Sequence, residues 1–466
     1  MESMECKTRT SRLRLNAPQS IVILALALFL LQQAAISTPL AFAQDNVVVG
    51  TNTGATSIRI AVADFKPSNA DPQTAAFKQT FDATLYADLA TAGIFDIVSK
   101  SLMPPGSPGS PAEMQVQNYA NAPASAAFVA FGSIGVSGGK LVVSGFLYDA
   151  KNLQYPQVFA RQYNQDPTGD SGRQIAHQFA DEIILRLGGG IAGIAETKIY
   201  YVKILSKDAK EIWMMDYDGA NQHPVTHLGS ISISPRVSPD NSRLAFATLG
   251  KYGFQIKMYS LLLGRYVSFP SGNVSSESPG WAPSGNELAY AAAPGGSFNI
   301  WIADSNGNLA RRITNFSDAS SPTYNPKTGA QIAFISGRTN LPQLYIMNAD
   351  GSGVQRMTDG GYASSPSWSP DGQFIAFAWD RKYGPGAPGG QDIYIMNVTT
   401  KFWTQLTHDG GRCDFPTWSP DGRHIAYANS ADGRADHMRI WSMLADGTQK
   451  RALTGPGADM PNWSWK

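Results

Sequence analysis

Several short motifs carry residue types able to do chemistry, and their surroundings argue against each one. Gly169-Asp170-Ser171-Gly172 matches the nucleophile segment of chymotrypsin-like proteases, in which the histidine base precedes the serine. The six histidines, at 177, 223, 227, 408, 424 and 437, all follow it, so that order fails. Gly135-Val136-Ser137-Gly138-Gly139 fits a nucleophile elbow, which joins a strand to a helix. Here it separates two apolar runs, Phe128 to Val136 and Leu141 to Leu147, and predicts a hairpin turn. Asp216-Tyr217-Asp218-Gly219, Asp304-Ser305-Asn306-Gly307 and Asn348-Ala349-Asp350-Gly351 open like a calcium loop but lack its twelfth-position glutamate. His223 and His227 have helical ligand spacing, yet Pro224 opposes the helix that would align them. Cys413 stands near His408, but Gly410 and Gly411 intervene, so it reads as a small loop residue. The expectation is no enzyme, no catalytic residue, no metal site and no cofactor.

The elements around these residues are set by an internal repeat. Six segments share a Ser-Pro-x-Trp-Ser-Pro-Asp-Gly pattern, with first prolines at 235, 279, 322, 366, 416 and 461. The spacings of 44, 43, 44, 50 and 45 residues fall in the range of a propeller or solenoid. Each repeat reads as four short strands, for example Ile375-Ala376-Phe377-Ala378, then Ile393-Tyr394-Ile395-Met396, then Gln405-Leu406-Thr407. In Ser369-Pro370-Asp371-Gly372, Pro370 presets a turn and Gly372 supplies its left-handed residue. Pro366 cannot donate to a ladder and so belongs on an edge, which the innermost strand of a blade provides. Trp281, Trp368, Trp418 and Trp463, with Val237 and Tyr324 in their place elsewhere, are expected to fill space between blades.

Closure is legible as well. Residues 199–226 supply the second, third and fourth strands of a blade without its first, and residues 461–466 supply a first strand alone. Joined, they complete six blades and hide the sheet edges. The expected fold class is an α/β N-terminal domain followed by an all-β six-bladed β-propeller closed by the C-terminal strand.

The organisation expected ahead of the ring is a cleaved signal at 1–43, an arm at 44–56, an α/β domain at 57–190 and the propeller at 191–466. Lys7, Arg9, Arg12 and Arg14 precede an apolar run from Ile21 to Leu31, and Ala41-Phe42-Ala43 supplies small residues for cleavage. Eleven apolar residues are too few to span a bilayer core. Phe77, Phe81, Leu85 and Leu89 predict an amphipathic helix, and a second is expected over 172–187. Strands are expected at 57–65, 95–99, 126–136, 141–149 and 155–163, with Gly188-Gly189-Gly190 as a hinge into the ring. The 37 basic and 36 acidic residues exclude the footprint of a nucleic-acid binder, and 43% hydrophobic residues exclude wholesale disorder.

The strand Ile60-Ala61-Val62-Ala63-Asp64-Phe65, the stretches Ala87 to Phe95, Ala180 to Ile183 and Ile199-Tyr200-Tyr201-Val202, and the six-fold propeller motif together resemble the TolB family. These are periplasmic propeller proteins of the Tol–Pal envelope system, and the resemblance spans residues 44–466. It implies a non-enzymatic periplasmic scaffold. The scaffold would link an inner-membrane Tol component to a peptidoglycan-associated lipoprotein, for outer-membrane integrity and cell division. It implies a partner-binding arm at Gln44, Asp45, Val47, Val48 and Val49. It implies a lipoprotein-binding propeller mouth on loops before the inner prolines, at Ser275, Ser278, Ser320, Tyr362 and Arg412. A proline-rich insertion at 104–111 and a long loop at 384–390 depart from the family pattern. Two other readings stay open: an exported propeller that binds a glycan or small ligand, and a propeller-gated hydrolase.

Overall fold

A computed structural model describes residues 57–465, except Ser271, Ser317 and 383–389. The expected signal, the arm with Gln44, Asp45, Val47, Val48 and Val49, and most of the 384–390 loop lie outside the described residues. No helix among the described residues is long and apolar enough to cross a membrane.

The α/β part is one mixed sheet. Its strands are β1 (Ile58–Val62), β2 (Lys66–Pro67), β3 (Phe95–Ile97), β4 (Phe128–Ser137), β5 (Lys140–Asp149) and β6 (Gln157–Gln165), in the order β3-β1-β4-β5-β6 with β2 beside β4. β1 runs parallel to β3 and β4, while β4-β5 and β5-β6 are antiparallel. Helix α1 (Pro72–Thr91) starts where the Asp71 side chain caps the Thr74 amide and Pro72 presets the first turn. The four-residue spacing of Phe77, Phe81, Leu85 and Leu89 puts all four into a core with Phe65, Ile175, Phe179 and Ile183. The last three come from helix α3 (Ser171–Leu187). Because strand side chains alternate, Ala130 and Ile134 face these helices while Val129 and Phe131 face a second core with Tyr119 and Tyr148. Tyr119 belongs to the one-turn helix α2 (Val116–Ala120), too short to show a period in the sequence. Gly138 and Gly139, both at positive φ, make the β4-β5 hairpin, so Ser137 sits at a turn and not at a nucleophile elbow.

Six four-stranded sheets follow as blades 1 to 6. Their inner strands are Ser232–Val237, Ser276–Trp281, Ala319–Tyr324, Tyr362–Trp368, Arg412–Trp418 and Ala458–Trp463. The last pairs with Lys198–Ile204, so blade 6 is built from both ends of the ring. Every inner strand carries a register shift at its proline. The residue before that proline (Ser234, Ser278, Ser321, Ser365, Phe415 or Met460) has φ between 48° and 54°. This is a β-bulge at the one place where the ladder lacks a donor.

The tryptophans join the blades as expected. Trp281 Nε1 donates to the Arg236 carbonyl, Trp368 to Thr323 and Trp418 to Ser367, at 3.0, 3.0 and 3.2 Å. Each bond reaches back to the preceding blade. Within blades, a threonine beyond the fourth strand accepts from the third: Thr226, Thr314, Thr358, Thr407 and Thr454 bind the amides of Ile212, Ile300, Leu344, Ile393 and Ile440. Those bonds give the recurring threonine of the repeat its physical reason.

Candidate functional site

Each inner strand runs from an open end of the ring toward the end bearing the Ser-Pro-Asp-Gly turns. At the open end, Ser320, Tyr362 and Arg412 line one cavity of about 500 Å³ with Asp318, Ser364 and Asp414. Ser275 and Ser278 lie outside this cavity, on blade 2 and the chain leading into it. The expected placement of these five residues on loops is corrected for four of them. Ser278, Ser320, Tyr362 and Arg412 belong to inner strands, and only Ser275 precedes one. The strands begin earlier than the proline suggests because the bulge lets pairing resume on its far side.

Sequence reasoning reached the residue two before each proline only at Ser320 and missed the other five. That position places Glu277, Ser320, Ser364, Asp414 and Asp459 in one row around the channel, with Ile233 in blade 1. Asp414 is buried and accepts from Ser364, Ser365, Arg412 and the Phe415 amide, at 3.1, 2.8, 2.8 and 2.8 Å. Asp459 is buried beside it. Desolvation, then the Asp414 charge, pushes its carboxyl up to about 6. Burial raises Glu277 too, and lowers the Arg236 guanidinium to about 10. The repeat itself was the signal: aligning the six motifs exposes this row.

The α/β domain grips the other end of the ring. Asp88 of α1 accepts from Tyr217 OH at 2.5 Å and faces His177 Nδ1 of α3 at 2.7 Å. Burial pushes the Asp88 carboxyl up against the opposing pull of His177. Arg173 bonds Asp216 and Asp218 of the same blade 6 turn, at 3.2 and 2.6 Å. From blade 5, Arg423 Nη2 donates to the Gly188 carbonyl at 3.0 Å, and His424 Nε2 lies 2.7 Å from the Thr91 carbonyl. The expected glycine hinge is thus pinned at its first residue.

The remaining candidates find structural partners. Ser171 donates to the Asp166 carbonyl and accepts from the Thr168 amide, tying down the entry to α3. Asp216, Asp304 and Asn348 sit at hairpin turns between third and fourth strands, and Asp304 accepts the Asn306 and Asn308 amides. His223 pairs in a fourth strand, so it and His227 share no helix. Cys413 corrects its loop assignment: it is fully buried in the blade 5 inner strand, where desolvation pushes the thiol up to about 11.

Comparison with known proteins agrees with this architecture. Residues 186–466 match the model of the TolB beta propeller domain, and residues 46–154 match the TolB amino-terminal domain. A "Protein TolB homolog" of Chlorobium chlorochromatii (strain CaD3) is 31% identical over 46% of each chain. A "Tol-Pal system protein TolB" of Gluconobacter oxydans (strain 621H) is 30% identical over 61% of this chain and 60% of its own. The chain therefore spans about half to three-fifths of the length of these curated relatives. The crystal structure of TolB from Acinetobacter baumannii superposes with a TM-score of 0.72 at 23% identity, covering 88% of this chain and 98% of that one, a likeness of fold. With both domain models matched in order, the chain belongs to the TolB family.

Proposed function

We propose that the protein is a periplasmic, non-enzymatic scaffold of the Tol–Pal system. In this reading the open end of the propeller binds a peptidoglycan-associated lipoprotein, and the arm at 44–56 binds an inner-membrane Tol component. The observation that carries it is the convergence of Ser320, Tyr362 and Arg412 on one cavity, at the end of the ring opposite the α/β domain. A protein surface can enter there without displacing that domain. The aromatic and arginine side chains at its edge are types that anchor protein interfaces. Affinity capture from solubilised envelopes tests the reading. The mature chain should retrieve both partners. Deleting residues 44–55 should lose the inner-membrane partner alone, and Tyr362→Ala should lose the lipoprotein alone. Retrieval of neither partner by the intact mature chain would refute it.

A further inference from the structure

The loops joining second to third strands also lie at the open end, and two of them carry near their start an arginine held against two rings. The Arg338 guanidinium lies 4.5 Å from the ring centroids of both Phe316 and Tyr345. That of Arg381 lies 4.9 Å from Trp379 and 4.1 Å from Trp403. The two positions are equivalent by register. Ala319 pairs with Ser336 and Ala363 pairs with Trp379, and each arginine stands two residues further on. The same count reaches Gly250, Pro294, Ala431 and Leu205 in blades 1, 2, 5 and 6. The propeller therefore does not require an arginine here. The two clamps also recruit rings from different places: a residue leading into blade 3 plus a third strand, against a second strand plus a fourth.

Both arginines are exposed, and among the described residues neither guanidinium makes an ion pair. Asp318 and Asp380 stand on the same rim, and Asp380 accepts the Lys382 amide. A guanidinium held against rings keeps N–H groups available, and these can receive a carboxylate through two parallel bonds. A side chain already held by rings also loses less rotamer freedom when it binds. Neither arginine lines the cavity described above, but each neighbours residues that do: Arg338 follows the lining residue Gly337. A Cβ on Gly361 would lie 2.7 Å from the Arg381 Cα, and the next residue is Tyr362. Ala319, the partner of Ser336, directly precedes Ser320. On the corresponding loops, blade 5 carries Asp432, Arg434, Asp436 and His437, blade 6 carries Lys207 and Asp208, and blade 1 carries Lys251. Among these loop cations, Arg434 pairs with Asp436 and Lys207 with Asp208, whereas Arg338 and Arg381 are held by rings.

We propose that Arg338 and Arg381 form a two-point carboxylate anchor for acidic side chains of the protein partner docked at the open end. The proposal rests on the mouth reading above and specifies the chemistry of its partner surface. The competing view makes each arginine a lid on its rings, important for packing alone.

The test titrates the soluble domain of the lipoprotein into the full mature chain at two salt concentrations, with melting temperatures recorded for every variant. R338Q/R381Q should bind about 10- to 100-fold more weakly, with a shallower salt dependence and an almost unchanged melting temperature. R338K/R381K keeps the charge without the planar fork, and should recover only part of the loss. Tyr362→Ala serves as the mouth control. Binding by R338Q/R381Q within twofold of the wild type, while Tyr362→Ala binds weakly, would overturn the anchor and leave the mouth reading standing. A lowered melting temperature with unchanged affinity would establish the lid view instead. Absence of binding by the wild-type chain would overturn both.

Discussion

The carboxyl of Asp459, pushed up to about 6, shows how the channel row trades stability for charge. In an unfolded chain it would titrate near ~3.9. The folded state therefore binds its proton more tightly. That contribution is fully present below pH ~4 and is lost as pH rises through the folded value. Asp459→Asn keeps an acceptor for the Met460 amide, 2.8 Å away, and removes the buried charge. The variant should be more stable than the wild type at pH 7.5 by ~1–3 kcal/mol, with the difference vanishing near pH 4. Denaturant unfolding at the two pH values checks this, and a less stable variant at pH 7.5 would show that the ionised form is favourably paired. At this scale the sequence was legible where one residue type recurs with one role. The tryptophans and turn prolines are such cases. The carboxylates at 277, 414 and 459 were not, because their meaning comes from neighbours on other blades. Arg338 and Arg381 stayed hidden for the same reason: Phe316, Tyr345, Trp379 and Trp403 converge on them only in the folded ring.

At the scale of elements, the connection between domain and ring depends on a few buried polar contacts. Tyr217→Phe removes the hydroxyl that donates to Asp88 and leaves that buried carboxylate with one partner fewer. Such a loss costs about 1–3 kcal/mol. Thermal unfolding should begin earlier, and protease should cut sooner between the α/β domain and blade 6. Unchanged unfolding and proteolysis would show that Arg173, Arg423 and His424 hold the interface without Tyr217. This interface was not legible in the sequence, since Asp88, His177 and Tyr217 are far apart along the chain and no local pattern links them. The strands themselves were legible. Alternation, glycine turns and the proline signature set their order, and the structure moved their ends by only a few residues. The six bulges explain the main misplacement. A proline that interrupts pairing looked like the start of a strand, when pairing exists on both sides of it.

For the whole molecule, ring closure by the inner strand of blade 6 is the feature on which stability turns. Removing residues 459–466 takes away Trp463, whose Nε1 donates to Thr197 Oγ1 at 2.8 Å, and strips Lys198–Ile204 of most of its partner. Loss of one buried tryptophan costs ~3–5 kcal/mol, against a typical domain stability of ~5–15 kcal/mol. The truncated chain should melt much lower or aggregate through the bared edge. An unchanged melting temperature would contradict closure. The closed ring, held by the α/β domain at one end and open at the other, leads to the central claim that the open end is a protein-docking mouth. Isothermal titration of the lipoprotein's soluble domain into the mature chain, wild type beside Tyr362→Ala, tests that claim most directly. The wild type should show saturable one-to-one binding and the variant an affinity at least ~10-fold weaker, with both chains equally folded. Equal affinity for the two chains, or no binding by either, would contradict it.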